Sequence, residues 1–224
     1  ALPISYCKIV SGSSLYNSSS TMNMTDRQTY LGDLASARAL LMGESRSIVG
    51  ILLRQPSDDE WKRAVTSENI LQQKSPVTAV RIANLLRKRL EPLGEQFLKA
   101  VESADDQLLR QLLMVAVMLR SPVVEDFMRT VLLDAVRRYQ TSISKADWAQ
   151  FYQDRAKTIP VLAELSDKTV NLAGRNLMTI LADGGYLDSG LKKNIQTVYL
   201  LPATKRWLIE LGKEQWMNTM ECKV

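Results

Sequence analysis

Histidine is absent from the chain, and cysteine occurs only twice. Without an imidazole there is no Ser-His-Asp or Cys-His nucleophile system and no histidine metal ligand. Two thiols cannot complete a four-ligand zinc site. They are Cys7 and Cys222, near opposite ends, and read as two unpaired thiols of a reducing compartment. Aromatic residues make up only 6% of the chain, which argues against a single-strand binder built on stacking platforms. No apolar run approaches the roughly 20 residues that a membrane helix needs. The densest, LLRQLLMVAVML at 108–119, contains Arg110 and ends at Arg120, so it reads as a buried central helix. No basic segment followed by an apolar stretch opens the chain, so no signal peptide is expected and the default compartment is the cytoplasm. Neither G-x-x-x-x-G-K-[ST] nor G-x-G-x-x-G occurs, which leaves no phosphate-cradling loop.

What is present is ordinary for a globular protein: 46% hydrophobic and 24% charged residues over 224 positions. A chain of this length buries about 70% of its unfolded surface and needs no metal or disulfide staple. The net charge of +5 is a mild pointer to an anionic partner.

The expected organisation is all-α. Residues 1–23 are rich in Ser, Thr and Asn and read as a disordered extension or tag remnant, with Met24 resembling a natural start. An N-terminal helical subdomain follows at 24–103, then central buried helices at 104–140, a C-terminal winged-helix-like subdomain at 141–217 and a tail at 218–224. Ser57-Asp58-Asp59-Glu60 is a capping box. Ser75-Pro76 and Ser121-Pro122 each place an N-cap before a first-turn proline. Ser144 and Ser166 are weaker starts of the same kind. Helices are predicted near 44–54, 57–66, 68–73, 75–91, 93–102, 104–120, 122–139, 144–157, 166–183 and 202–217. Between the last two, Gly184-Gly185, a turn at Asp188-Ser189-Gly190 and the β-prone 197–201 predict a short β-hairpin, the wing of a winged helix-turn-helix.

Two constellations stand out. On the helix from Ser75 to Leu90, Ala79, Ile82, Ala83, Leu86 and Leu90 form one stripe. Arg81, Asn84 and Lys88 form the opposite stripe, with Lys74 and Thr78 beside it and Arg87 and Arg89 flanking it. Five basic and no acidic residues lie between Lys74 and Leu90. With 68–73 before it, this predicts a helix-turn-helix in which Asn84 reads adenine, Arg81 reads guanine, and Lys88 and Arg89 meet phosphates. The same letters describe an ordinary amphipathic helix with a solvated basic face. On 166–183, Val170, Leu177 and Leu181 face inward, while Lys168, Asn171 and Arg175 face outward. Lys192 and Lys193 fall at the wing tip, suited to phosphate contact.

Enzymatic signals are weak. Glu60-Trp61-Lys62 has the spacing of a nuclease triplet but lies in the first turns of a capped helix. Trp61, Trp148, Trp207 and Trp216 read as core anchors. Arg137-Arg138 closes a helix where cations suit the dipole.

One resemblance runs in order along the chain. Tyr30-Leu31-Gly32-Asp33, Glu44-Ser45-Arg46, Trp61 to Val65, Glu68 to Gln72, Ser75 to Ala79, Arg81-Ile82-Ala83, Ala182 to Leu187 and Val198 to Pro202 together resemble the BrxA family of BREX (bacteriophage exclusion) components. The resemblance implies an all-helical fold carrying helix-turn-helix elements, DNA binding, no catalytic activity of its own and no metal or cofactor. The expected partners are duplex DNA and other BREX proteins such as the methyltransferase, with no membrane and no small-molecule substrate. The rival readings are a scaffold that assembles other BREX components and a structured-RNA-binding protein.

Overall fold

The structure, a computed structural model, describes residues 29–36 and 39–222. The expected extension at 1–23, and Cys7 within it, lie outside the described residues. Among the described residues, 29–31 are helical, short 3-10 turns occur at Glu91–Leu93 and Pro160–Leu162, and the longer α-helices are, in order, α1 (Met42–Leu52), α2 (Asp58–Thr66), α3 (Pro76–Leu90), α4 (Gly94–Ser103), α5 (Asp106–Arg120), α6 (Pro122–Phe127), α7 (Leu133–Arg137), α8 (Lys145–Thr158), α9 (Asp167–Asp183), α10 (Pro202–Glu210) and α11 (Trp216–Glu221). A π-turn over Met128–Leu132 joins α6 to α7.

α5 is the axis of the core. Its Leu109 and every residue from Gln111 to Met118 are buried, and α1, α3, α4, α6 and α10 pack around it. The apolar run read as a central helix is therefore enclosed by protein. Among the described residues no single helix is long and apolar enough to cross a membrane; α5 and the α6–α7 unit bend by 108° on either side of Ser121. Trp61, Trp148 and Trp216 are buried, and half-buried Trp207 sets its ring edge-on to Phe97 at 5.1 Å. Cys222 is an unpaired thiol, and burial pushes its pKa up to about 11.

Local sequence sets the helix starts. Ser57 accepts from the Glu60 N–H while Glu60 accepts from the Ser57 N–H, and Ser144 and Asp147 repeat the arrangement. Asp105 and Ser166 cap α5 and α9. The two Ser-Pro starts behave differently: Ser75 makes no side-chain cap to α3, and the Ser121 hydroxyl is drawn away to Asp33, so α3 and α6 begin with proline alone.

Three expectations are corrected. The helix predicted at 68–73 does not form. Asn69 and Gln72 adopt left-handed conformations, and the Asn69 side chain closes the turn by donating to the Gln73 carbonyl and accepting from its N–H. Residues 67–75 thus separate α2 from α3, and 159–166 separate α8 from α9, in place of the short turn of a compact helix-turn-helix. The predicted helix 202–217 breaks at Gly212, whose φ is +64°.

The β-hairpin wing is also absent: the described residues contain no strand, only the isolated bridges Ser142–Asn194 and Leu187–Ile195. Side chains take the backbone groups that a ladder would have used. Asp188 accepts from the N–H groups of Gly190 and Asn194. Buried Gln111 donates to the Tyr199 carbonyl and accepts from the Leu201 N–H, and Glu221 accepts from the Leu200 N–H. The β-prone residues 197–201 are held against α5 and α11 instead of against each other.

Residues 29–36 and 39–40 form a strap across the molecule. Tyr30 donates to Asp126 at 2.7 Å, and Asp126 also accepts from Arg129 at 2.8 Å and from Arg155. Burial raises the Asp126 pKa, but the hydrogen bonds from Arg155 and Tyr30 and the charges of Arg155 and Arg129 outweigh it, leaving a net lowering. A lowered folded-state pKa gives stability that is present above the unfolded value of about 3.9 and lost as pH falls through the folded value. Asp126→Asn is therefore expected to cost about 1–2 kcal/mol at neutral pH and clearly less at an acid pH below the unfolded value, the gap closing only below the lowered folded-state pKa. Urea midpoints at the two pH values measure this; an equal gap at both would contradict it.

Candidate nucleic-acid interface

α3 carries the first predicted face. Ala79, Ala83, Leu86 and Leu90 are buried and Ile82 packs half-buried against the core, as the helical period requires. Lys74, Arg81, Asn84 and Lys88 are exposed, and Thr78 is half-buried. Val77 and Val80 join the exposed stripe, Val77 at 79% exposure. These two valines are not among the predicted contacts, although each lies four residues before Arg81 or Asn84, on the same face. No acidic residue occurs in α3.

Two of the predicted contacts are already paired with side chains of the protein, Arg87 at the surface and Arg89 in the interior. Arg87 lies over the Trp61 ring at 4.8 Å and pairs with Glu91 at 3.1 Å and with Asp58 at 3.8 Å. It fastens α2 to α3. Arg89 is only 2% exposed and pairs with buried Asp33 at 3.1 Å. It stands outside the exposed face, and a phosphate could reach it only by displacing the strap. The signal for this was its register: Arg89 follows Ile82 and Leu85 by seven and four positions, on the apolar side.

α9 carries the second face. Ala173, Leu177, Ile180 and Leu181 are buried, while Lys168, Asn171 and Arg175 are exposed. Gly174 packs against the Trp148 ring, whose indole N–H donates to the Val170 carbonyl at 3.0 Å. Lys192 and Lys193 lie in a loop that Asp188 closes from below, at 3.1 Å to the N–H of Gly190 and of Asn194. Lys192 is exposed and Lys193 is half-buried.

The strap brings the two helices together. The exposed Arg81 donates to the Ser36 carbonyl at 3.2 Å, and the buried Asn176 of α9 donates to the Leu34 carbonyl at 2.8 Å. Asp183, at the end of α9, accepts from the Leu40 N–H. α3 and α9 are thus fixed to acceptors two residues apart on one short segment. Among the described residues no group of three or more Cys, Asp or Glu could hold a metal ion.

The BrxA family model matches residues 29–212. The chain belongs to the BrxA family. It is 36% identical over 196 residues to a BREX protein BrxA of Escherichia coli O9:H4 (strain HS), covering 88% of this chain and 92% of that protein. A BREX protein BrxA of Paramagnetospirillum magneticum is 28% identical over 195 residues, covering 87% and 98%. A crystal structure of an uncharacterized protein from Magnetospirillum magneticum superposes with a TM-score of 0.78 at 24% identity, over 87% of this chain and all of that one; it shows the fold alone. BrxA-family proteins are components of bacterial BREX phage-defence systems. The all-α fold agrees with the family resemblance read from the sequence, whereas the winged hairpin does not occur.

Proposed function

We propose that this BrxA-family protein is a cytoplasmic, non-catalytic component of a BREX system that binds duplex DNA. The observation that carries the reading is the exposed, acid-free face of α3, where Val77, Arg81, Asn84 and Lys88 follow one another at helical spacing. Arg81 and Asn84 are suited to bidentate reading of guanine and adenine, and the valines to a thymine methyl. Lys74 and Lys88 meet phosphates, and Lys168, Asn171 and Arg175 on α9 extend the contact, with Lys192 and Lys193 adding charge. Arg87 and Arg89 serve the fold.

The test is fluorescence anisotropy of a labelled duplex across a salt series. Arg81→Ala/Lys88→Ala is expected to weaken binding and to reduce the salt slope by about one to two units; Lys192→Ala/Lys193→Ala acts in the same direction. No binding by the wild-type protein at low salt would end the DNA reading. A scaffold role is the second reading. It is favoured by exposed apolar side chains away from α3, at Tyr199 and Ile209. Under it, Tyr199→Ser/Ile209→Ser loses co-purifying BREX proteins while DNA binding is unchanged.

A further inference from the structure

Gly50 stands inside α1, where glycine weakens a helix. Neither usual reason for a glycine applies. Its φ is not positive, and a Cβ built there meets nothing within 4 Å. The open space beside it belongs to a cavity of about 580 Å³ between α1 and α2. Arg46 lies one turn before Gly50 on α1, Arg54 sits in the turn just past the end of α1, and Arg63 lines the cavity from α2. Ile51 and Ala64, both buried, provide an apolar floor.

The charges are unequal. Arg46 reaches Asp106 at 3.0 Å, in a pair whose side chains are 38% and 85% exposed and which an incoming anion can replace. Arg54 and Arg63 are exposed. Of the two lining acids, Glu60 is already occupied in the α2 cap, where the Ser57 hydroxyl and N–H hold its pKa below the usual carboxylate range. Glu68, beyond the end of α2, is exposed.

Guanidinium forks match phosphate oxygens two at a time. The volume is that of a small-organic-ligand site, and a stable protein interface would require a far larger surface. An apolar floor suits the flat face of a base, and a carboxylate at the rim accepts hydrogens from a sugar or an exocyclic amine. A bare polyanion would meet that carboxylate unfavourably. We propose that the α1–α2 groove binds a nucleoside phosphate, with Arg46, Arg54 and Arg63 on the phosphate, Ile51 and Ala64 beneath the base and Glu68 on a hydroxyl or amino group. Gly50 is glycine because the ligand occupies the space of its side chain. The site is separate from the α3 and α9 faces.

Isothermal titration of the full chain with the four common nucleoside mono- and triphosphates, and with adenosine and inorganic phosphate, tests this. At least one nucleotide is expected to bind, with adenosine and inorganic phosphate at least about tenfold weaker. Gly50→Leu fills the cavity at an unstrained helical position, so its melting temperature should equal or exceed that of wild type while nucleotide affinity falls by about tenfold or more. Arg54→Gln/Arg63→Gln should lose affinity to the same degree, with DNA anisotropy unchanged. Failure of every nucleotide to bind wild type, or wild-type affinity in a folded Gly50→Leu, would overturn the proposal. So would displacement of the nucleotide by duplex DNA, which would assign the arginines to a nucleic-acid backbone.

Discussion

Alanine in place of Asp33 is expected to cost about 3–5 kcal/mol of folding stability, because it leaves a buried charge without its partner. Arg89 is 2% exposed and Asp33 9% exposed. The Arg89 Nε donates to the Asp33 carboxylate at 3.2 Å, and Nη2 stands 3.1 Å from it. The same carboxylate accepts from the Ser121 hydroxyl at 3.0 Å, and the Asp33 N–H donates back to that hydroxyl at 3.1 Å. Burial pulls the Arg89 pKa down, the Asp33 charge and hydrogen bond oppose it, and the nearby Arg120 adds to the lowering. Without the acid, only the destabilising influences remain. Next door the strap backbone passes close to the end of α5: Gly32 has φ +56°, and a Cβ there would stand 2.0 Å from the Arg120 carbonyl oxygen, so only glycine fits.

Urea unfolding of Asp33→Ala, Arg89→Met and the double variant separates the cost of the orphaned charge from the worth of the pair. The double variant, which removes both charges, should recover most of the loss. A single-variant loss below about 1 kcal/mol would mean that water reaches Arg89. Because Ser36 and Leu34 of the same strap hold Arg81 and Asn176, Asp33→Ala should also weaken DNA binding in the folded fraction.

Gln111→Leu is the second substitution with a large expected effect. Its amide oxygen accepts from the Leu201 N–H at 2.9 Å and the Thr204 hydroxyl at 2.7 Å, and its nitrogen donates to the Tyr199 carbonyl at 2.9 Å. Leucine has a similar volume but meets none of the three. At about 1–3 kcal/mol for an orphaned buried group, with the Thr204 hydroxyl buried and the Leu201 N–H and Tyr199 carbonyl part-buried, the loss should be about 2–3 kcal/mol. Thr204→Val, which removes one partner and leaves the other two bonded, should cost clearly less. Hydrogen exchange adds a local readout: the 196–204 amides should lose protection in Gln111→Leu well before α5 does. Uniform protection loss would show instead that this segment unfolds only with the whole domain.

These two sites mark where local reading of the chain stopped. The capping boxes at Ser57 and Ser144 were legible because donor and acceptor lie three residues apart. The faces of α3 and α9 were legible from helical period, and Lys74, Arg81, Asn84, Lys88, Lys168, Asn171 and Arg175 all emerge at the surface as their positions required. Arg89 did not, since its surroundings are set by an aspartate 56 residues earlier. The helix expected at 68–73 yielded to Asn69, whose side chain satisfies the backbone of Gln73 in place of a helical turn.

Residues 197–201 gave the clearest failure. Their β-prone letters describe half-buried extended backbone, and extended backbone is what they form. Whether such backbone pairs with another strand depends on what donors and acceptors the fold brings alongside, and here those are Gln111 and Glu221.

By itself, the sequence determined the helical class, most helix starts, the buried central helix, the family and the polarity of the two candidate faces. All of these follow from interactions within a few turns or from ordered residue identity along the chain. Only the tertiary structure decided that Arg87 pairs across α2 and α3 at the surface, that Arg89 is a buried tie, that no wing forms, and that one strap fastens α3 to α9. It alone placed Gly50 beside a cavity ringed by arginines. Those outcomes depend on partners far away in sequence, where burial makes each unpaired charge or amide costly and so fixes which distant groups must meet.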